Sequence, residues 1–275
     1  MLDGGTGPST GGVQREAPLR EGTCCGVRIA ASSFDAAVEL LVDAPLKRES
    51  ATADASPGAA VHLCNAYTLA LADRDADLKA VLNRARWNFP DGFPVARFTR
   101  WQTRLGADLC QKVSGPDLFH EVLATGRNYD VKHYFLGSTP KVLDALEKAV
   151  RDEFPGVQIV GIESPPFRPL TDEERDEQRR RIIASGADLV WVGLGTPKQD
   201  WEVDRLAAEI PAVFLAVGAA FDFLAGMKPR APQWMSDFGV EWIFRLVSEP
   251  KRLWRRYLVG NPQFLISLVR NFGRG

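Results

Sequence analysis

The sequence of 275 residues lacks the usual marks of a metal-binding, secreted or membrane-spanning protein. Its four cysteines show no CxxC spacing and its three histidines lie far from any paired cysteines, which argues against a zinc site and predicts buried, reduced thiols. The amino-terminal residues contain no apolar stretch typical of a secretory signal. No run of about 18 apolar residues is present, which argues against a conventional membrane span. We therefore expect a cytoplasmic protein.

An excess of charge of one sign is also missing. Lysine and arginine number 34 and aspartate and glutamate 35, so the formal net charge is -1 and gives no reason to expect a nucleic-acid partner. The hydrophobic fraction of 45% and the charged fraction of 25% are ordinary for a soluble protein. The length allows one large domain or two small ones with a sizeable core.

Short apolar runs alternate with helical patterns along most of the chain. This alternation predicts an α/β fold with a mostly parallel, Rossmann-like sheet flanked by helices. The predicted strands are residues 27–30, 60–64, 86–90, 131–136, 157–162, 189–192 and 213–217. Composition predicts a disordered leader over 1–22, a core over 23–246 with a mobile loop at about 43–59, and a basic amphipathic helical appendage over 247–275.

The segment DLVWVGLGTPKQD, residues 188–200, is the strongest indication of a binding site in the sequence. A buried strand is followed by a glycine turn, and we expect Thr196 to cap the next helix with Pro197 as its first residue. Such a unit directs free backbone N–H groups at the space above the sheet, where glycines leave room for a phosphate or sugar. The candidate site residues of this turn are Gly193, Gly195, Thr196, Lys198 and Gln199. A tight turn without a ligand is the alternative.

Polar residues follow other predicted strands. Asp91, beside Gly92, follows the strand 86–90, where a carboxylate can project into the crevice of an open sheet. A turn or helix-capping role is the alternative for this aspartate. Asn65 directly follows the strand 60–64, and Asp222 lies in GAAFDFLAG, which we predict to be a loop.

The stretch DRDAD contains a DxD spacing, which many sugar-nucleotide enzymes use to hold a divalent metal. Because Asp75 and Asp77 directly precede the helical pattern LKAVLNRA, we interpret them as a helix cap and a first-turn acid. We therefore expect no metal and no other cofactor.

The last forty residues combine aromatic side chains with many cations. Leu253, Trp254, Tyr257 and Leu258 are predicted to share one helical face, which is flanked by the basic residues Lys251, Arg252, Arg255 and Arg256. A basic amphipathic helix of this type suits an anionic membrane surface. A helix packed on the core with solvated arginines is the alternative.

Several blocks resemble, in order and spacing, the WecG/TagA/CpsF glycosyltransferases. They are LCNAYTLALADRDADLKAVLNRA, NFPDGFPV, KVSGPDLF, VWVGLGTPKQD, GAAFDFLAG, RAPQWM and GVEWIFRLVSEPKRLWRRYL, which together cover roughly residues 27–264. The resemblance implies an inverting hexosyltransferase that moves an N-acetylmannosamine-type sugar or glucose from a UDP-sugar to a polyprenyl-diphosphate-linked saccharide. Such an enzyme acts in cell-surface polysaccharide or wall-polymer synthesis, peripherally on the inner face of the cell membrane.

The resemblance also implies roles for single residues. Asp91 matches the proposed general base, and Asn65 and Gln199 match two further catalytic positions. The leaving diphosphate needs cations, for which the candidates are Lys112, Arg245, Arg252 and Arg255. The glycine turn and Asp222 are expected to position the nucleotide and donor sugar. The arginines of the appendage have the membrane surface as their alternative partner.

Three positions depart from the family pattern. Leu63 replaces a frequent threonine, Lys112 replaces an arginine and so loses bidentate geometry, and Asp200 replaces the glutamate of PKQE.

Two other functions are compatible with the same fold. A nicotinamide-dependent oxidoreductase is disfavoured because Gly193-Leu194-Gly195 lacks a third glycine and lies late in the chain. A non-catalytic sugar-nucleotide-binding protein would keep the pocket without needing Asp91. Assembly into a homo-oligomer is also compatible with the sequence.

Overall fold

The computed structural model describes residues 19–49, 58–232, 234–235 and 238–271. Its centre is a six-stranded, all-parallel sheet flanked by helices, with strand order β4-β3-β8-β7-β5-β6, and a two-stranded antiparallel hairpin, β1-β2, lies beside it. The strands are β1 (Glu21–Cys24), β2 (Val27–Ala30), β3 (Ala59–Cys64), β4 (Trp87–Pro90), β5 (Lys132–Gly137), β6 (Gln158–Glu163), β7 (Leu189–Gly193) and β8 (Val213–Ala216). The predicted α/β class with a parallel sheet is confirmed.

Helices cover both faces of the sheet. They are α1 (Phe34–Glu49), α2 (Ala66–Ala72), α3 (Ala76–Arg84), α4 (Phe93–Thr103), α5 (Gly115–Gly126), α6 (Pro140–Glu153), α7 (Asp172–Ser185), α8 (Lys198–Glu209), α9 (Ala220–Leu224), α10 (Glu241–Ser248), α11 (Pro250–Trp254) and α12 (Gly260–Asn271). A π-helical turn, Arg255–Val259, joins α11 to α12. No helix among the described residues is long and apolar enough to cross a membrane.

The core lies on both sides of the central strands, as expected for a parallel sheet with apolar side chains on each face. On one side, Trp191 packs edge-on against Phe119 of α5, with ring centroids 4.8 Å apart. On the other side, Val190 and Phe214 pack in a second apolar cluster with Leu206 of α8. Because the strands are packed on both faces, the positions of their carboxyl ends and of the loops that follow them are well defined.

A switch in strand order creates a crevice above the sheet. In the sheet, β3 lies between β4 and β8. The chain continues from β3 outward to β4 on one side, whereas on the other side β8 pairs with β7, the strand that precedes it in sequence. The loops after β3 and β8 therefore diverge, which is where ligands bind in open α/β sheets.

The predicted leader and mobile loop were too long. β1 pairs with β2 from Glu21 onward, so the leader ends before residue 21. Helix α1 continues through Pro45 to Glu49, and Ala44 packs against the core. Residues 1–18 of the leader and 50–57 of the loop lie outside the described residues.

The predicted GAAFDFLAG loop contains the short helix α9 instead. This helix is held in place because Phe221 is buried against the rings of Phe119 and Phe135, at centroid distances of 5.4 and 5.7 Å. Asp222 consequently lies on a fixed helical turn.

The C-terminal helices are partly built into the core. Phe264 of α12 is buried in a cluster with Leu69 and Cys64, and α10 spans the predicted boundary at residue 246. The predicted common face of this segment was wrong. Leu253 is buried, but Trp254 is 44% and Leu258 59% exposed. The π-helical turn over Arg255–Val259 also changes the helical phase within this segment.

Candidate active site

A cleft of about 220 Å³ opens at the carboxyl ends of β3, β4, β7 and β8. One side, here called the sheet wall, consists of turn residues after β7 and β8: Gly193, Gly195, Thr196, Gln199 and Gly218. The opposite side, here called the helical wall, consists of Arg245, Glu249, Arg252, Arg256 and Tyr257. Asn65, Asp91 and Asp222 also line the cleft.

Asn65 and Asp91 form one hydrogen-bonded unit between the two walls. Asn65 is the N-cap of α2, and its Oδ1 accepts from the backbone N–H groups of Tyr67 and Thr68 at 3.1 and 3.2 Å. This leaves its Nδ2 to donate to Asp91 Oδ2 at 3.3 Å. Because both ends of the amide are used, its orientation is fixed and it presents a donor to the carboxylate.

The charge state of Asp91 depends on both burial and neighbouring cations. Burial raises the pKa of this carboxyl above its ordinary value, and Glu241 adds to the rise. Arg245, Arg256 and the Asn65 amide act in the opposite direction, since each favours the carboxylate. A carboxyl group with a raised pKa and nearby cations suits a proton acceptor at neutral pH.

The sheet wall is held together by the side chain of Gln199. This side chain is only 4% exposed, and its Oε1 accepts from the backbone N–H groups of Gly195 and Gly218 at 3.0 and 2.9 Å. One amide thus ties the turn after β7 to the turn after β8. Gly193 is needed for close packing, since a Cβ there would lie 2.8 Å from the Phe221 ring.

The predicted cap of α8 was wrong. Helix α8 begins at Lys198 with Pro197 at the N-cap, after a cis Thr196–Pro197 peptide bond, and no side chain caps it. The N–H groups of Gly195 and Gly218 are not free for a ligand, because Gln199 accepts from both. Long-range hydrogen bonding decides this turn rather than local capping preference.

Arg245 and Arg252 of the helical wall are paired with acids of the same segment. Arg245 forms an ion pair with Glu241 at 2.7 Å, and its guanidinium lies 4.9 Å from the Phe223 ring centroid. Arg252 pairs with Glu249. A lysine joins this network to the sheet side: Lys228 Nζ lies 3.2 Å from Glu249 and 3.3 Å from Asp222.

Arg256 is a cleft residue that the sequence analysis did not include among the site residues. Its guanidinium lies 5.6 Å from the Tyr67 ring centroid and 5.9 Å from that of Tyr257. The basic run from Lys251 onward pointed to this region, but a regular helical repeat could not identify the arginine that faces the cleft. The π-helical turn, which begins at Arg255, determines that choice.

A comparison with protein families agrees with this geometry. The model of the glycosyl transferase WecG/TagA/CpsF family matches residues 23–275. The chain belongs to this family of glycosyltransferases. The family resemblance of the sequence blocks is thereby confirmed, and the family places the protein in cell-surface polymer synthesis, with a sugar-nucleotide donor and a lipid-linked acceptor.

Three predicted substrate-binding residues of this glycosyltransferase do not line the cleft. Lys112 lies 3.6 Å from Glu241 and 5.5 Å from the Phe93 ring centroid. Lys198 is exposed at the start of α8, and Arg255 lies over the Trp254 ring on the outer surface. Of these, Lys112 is connected to the helical wall through Glu241, which it shares with Arg245.

The acids of the DxD stretch have structural partners. Asp75 caps α3 by accepting from the N–H groups of Asp77 and Leu78, both at 3.0 Å, as predicted. The preceding Asp73 accepts hydrogen bonds from α12. The described contacts therefore give both carboxylates a role in packing.

Asp200, which departs from the family pattern, lies beneath the sheet wall. Its Oδ1 is 3.0 Å from Nδ1 of His62 on β3, and both side chains are buried. This contact ties the first turn of α8, which carries Gln199, to the strand that leads to Asn65. The aspartate that replaces the family's glutamate at this position thus has His62 as its partner.

Proposed function

We propose that this glycosyltransferase moves a hexose from a UDP-sugar to a saccharide on a polyprenyl diphosphate, with inversion at the anomeric carbon. The observation that carries the proposal is the Asp91 carboxylate, held by Asn65 between a wall of backbone turns and a wall of arginines. Such a site offers a proton acceptor next to cations for a leaving diphosphate.

In the proposed reaction, Asp91 accepts the proton of the acceptor hydroxyl. The hydroxyl oxygen attacks the anomeric carbon from the face opposite UDP, the bond from that carbon to the phosphate oxygen breaks, and UDP leaves with the electron pair. A general base contributes about 10²–10⁴-fold, which corresponds to roughly 3–5 kcal/mol of the barrier. Asn65 acts as a positioning residue, since it fixes the carboxylate.

The proposed role of the helical wall is to stabilise the charge that develops on UDP. Arg245, Arg252 and Arg256 supply fixed cations, and a bound diphosphate would compete for them with Glu241 and Glu249. This mechanism calls for no metal, so we expect turnover to persist in a chelator such as EDTA. Loss of activity in EDTA that magnesium or manganese restores would contradict the expectation.

The sheet wall is proposed to hold the nucleotide and the donor sugar. Gly193, Gly195 and Thr196 provide its surface, and Asp222 is placed to accept hydrogen bonds from sugar hydroxyls. Gln199 supports this surface from within, because it accepts from two backbone N–H groups. We therefore assign it a positioning role in place of direct chemistry.

The C-terminal segment is proposed to bring the enzyme to the inner face of the membrane. Its apolar side chains Trp254, Leu258, Leu265, Ile266 and Val269 are all exposed, and the cations Lys251 and Arg255 accompany them. Exposed apolar groups flanked by cations favour an anionic lipid surface. A soluble enzyme gains from such attachment, because its acceptor carries a polyprenyl chain.

One assay tests the function directly. UDP release is measured over a panel of UDP-sugars with a short-chain lipid-diphosphate saccharide, and the anomeric configuration of the product is determined by NMR. We expect turnover with one donor class and an inverted product. NADH binding without UDP binding would indicate an oxidoreductase, and UDP-sugar binding without any transfer would indicate a binding protein.

A further inference from the structure

Helix α2 connects three features of the molecule that are far apart in sequence. Its N-cap, Asn65, donates to Asp91 at 3.3 Å. In its first turn, the Tyr67 ring lies 5.6 Å from the guanidinium of Arg256. Its C-cap is Asp73. Because α2 spans only two turns, a displacement at one of its ends reaches the other.

Asp73 binds the end of the chain through a dense set of contacts. Its Oδ2 accepts from Ser267 Oγ and from the Arg270 guanidinium, both at 2.6 Å, and its Oδ1 accepts from Asn271 Nδ2 at 3.1 Å. Lys79 Nζ lies 3.6 Å away. The Asp73 side chain is only 3% exposed, so these groups replace the water that a carboxylate needs.

The helix that Asp73 binds is continuous with the turn that carries Arg256. Helix α12 starts at Gly260, directly after the π-helical turn. A Cβ at Gly260 would lie 2.9 Å from Cδ2 of Tyr67, so the two helices pack closely at this point. The position of Arg256 is therefore set by how α12 sits on α2.

We propose that Asp73 is a positioning residue of the glycosyltransferase, which ties α12 to α2 and thereby holds Arg256 beside Asp91. This inference rests on the proposed function, in which Asp91 is the base. It gives the first acid of the DRDAD stretch a role in catalysis through packing, without contact to substrate.

Displacement of Arg256 changes the pH dependence of turnover, which a simple loss of stability would not do. The charged groups that act on Asp91 are Arg245 and Arg256, which favour the carboxylate, and Glu241, which opposes it. If Arg256 moves away, the pKa of Asp91 rises. The acid limb of the pH profile of kcat/KM then moves to higher pH, because the base must be unprotonated to act.

The test uses Asp73→Asn and a matched control, Asp75→Ala, which removes the same charge two residues away but leaves the α12 contacts intact. We expect Asp73→Asn to lower kcat/KM by about tenfold, a typical size for coupled contacts, and to move the acid limb upward. Arg256→Gln should move the limb in the same way, and the double variant should add nothing further. Asp75→Ala should lower thermal stability without moving the limb.

Two further measurements test the role of Asp73. If Asp73→Asn does not fold, Arg270→Gln, which removes an exposed partner, should give a smaller shift in the same direction. Hydrogen exchange over residues 250–260 should be faster in either variant, whether or not an active donor has been found. An unchanged acid limb in an active variant, or unchanged exchange, would overturn the role of Asp73. Absence of transfer by the parent enzyme would instead count against the proposed function.

Discussion

The two walls of the cleft are built by different means. The sheet wall is backbone whose N–H groups donate neutral hydrogen bonds to the amide oxygen of a buried side chain, Gln199. The helical wall is made of charged side chains, such as Arg252, whose side chain is 54% exposed and paired with Glu249. Salt screens exposed charges but hardly affects buried neutral hydrogen bonds. We therefore expect the sheet wall to act as a fixed template and the helical wall to respond to ionic partners.

The largest expected effect belongs to the group between the walls. Asp91→Asn should lower kcat by at least about a hundredfold, because the amide cannot accept the acceptor proton, while UDP-sugar affinity and folding are retained. Steady-state kinetics with calorimetric binding would measure both. Asp77→Asn, a first-turn acid outside the cleft, provides the control. Turnover within a factor of a few of the parent would remove Asp91 from the role of base.

Two sets of substitutions distinguish the role of the cations in the cleft from that of the cations on the outer surface. Substituting Arg252, Arg255 and Arg256 by Glu should abolish binding to anionic vesicles and transfer to long-chain acceptors. Lys251→Glu with Arg255→Glu changes only exposed residues outside the cleft. This pair should weaken vesicle binding at least about thirtyfold, at about 1 kcal/mol per cation, and spare transfer to a short-chain acceptor.

Vesicle co-sedimentation and transfer assays measure the two activities separately. If the triple variant sediments with anionic vesicles as the parent does, and transfers sugar at the parent's rate, the C-terminal segment serves in packing only.

The sheet wall is tested by Gln199→Leu. Leucine leaves the N–H groups of Gly195 and Gly218 without their acceptor. The cost is about 1–3 kcal/mol for a fully buried donor and is smaller for these two part-buried groups. Urea unfolding should show this loss, together with weaker UDP binding. Gln199→Glu retains an oxygen acceptor and should keep more of the stability. Equal stability of the leucine variant and the parent would show that this amide does not hold the wall.

A pH-dependent effect is expected in the sheet beneath this wall. Burial lowers the pKa of His133 from 6.5 to about 3, and its Nδ1 accepts from Trp191 Nε1 at 3.1 Å. Between about pH 6.5 and pH 3, His133 binds a proton in the unfolded chain but not in the folded chain. The free energy of unfolding is therefore not reduced by this residue well above pH 6.5, and it falls as the pH decreases below that value. Between pH 6.5 and 5 the loss is about 1.6 kcal/mol.

Urea unfolding at both pH values checks this prediction. His133→Gln should flatten the dependence of the free energy of unfolding on pH. A slope that persists in His133→Gln would assign the effect to another group.

The sequence predicted the strand-end residues of the cleft better than it predicted either wall. Apolar runs fix where strands end, so the positions of Asn65 and Asp91 at strand ends followed from the pattern. The partners of Gln199 did not, because they depend on the turn after β8, distant in sequence. Which arginine faces the cleft depended on a π-helical turn, and the anchoring of α12 depended on Asp73. Local sequence patterns predict neither contacts between distant residues nor an irregular turn within a helix.

The division of work between the walls can be measured directly by calorimetry with UDP and uridine. The parent and the double variant Arg245→Gln, Arg256→Gln are each titrated with both ligands at low and moderate salt. We expect the variant to bind UDP at least about tenfold more weakly, as for a lost charge-assisted contact, with less dependence on salt, and to bind uridine as the parent does. Equal losses for UDP and uridine, or no loss for UDP, would contradict the assignment of the diphosphate to the helical wall.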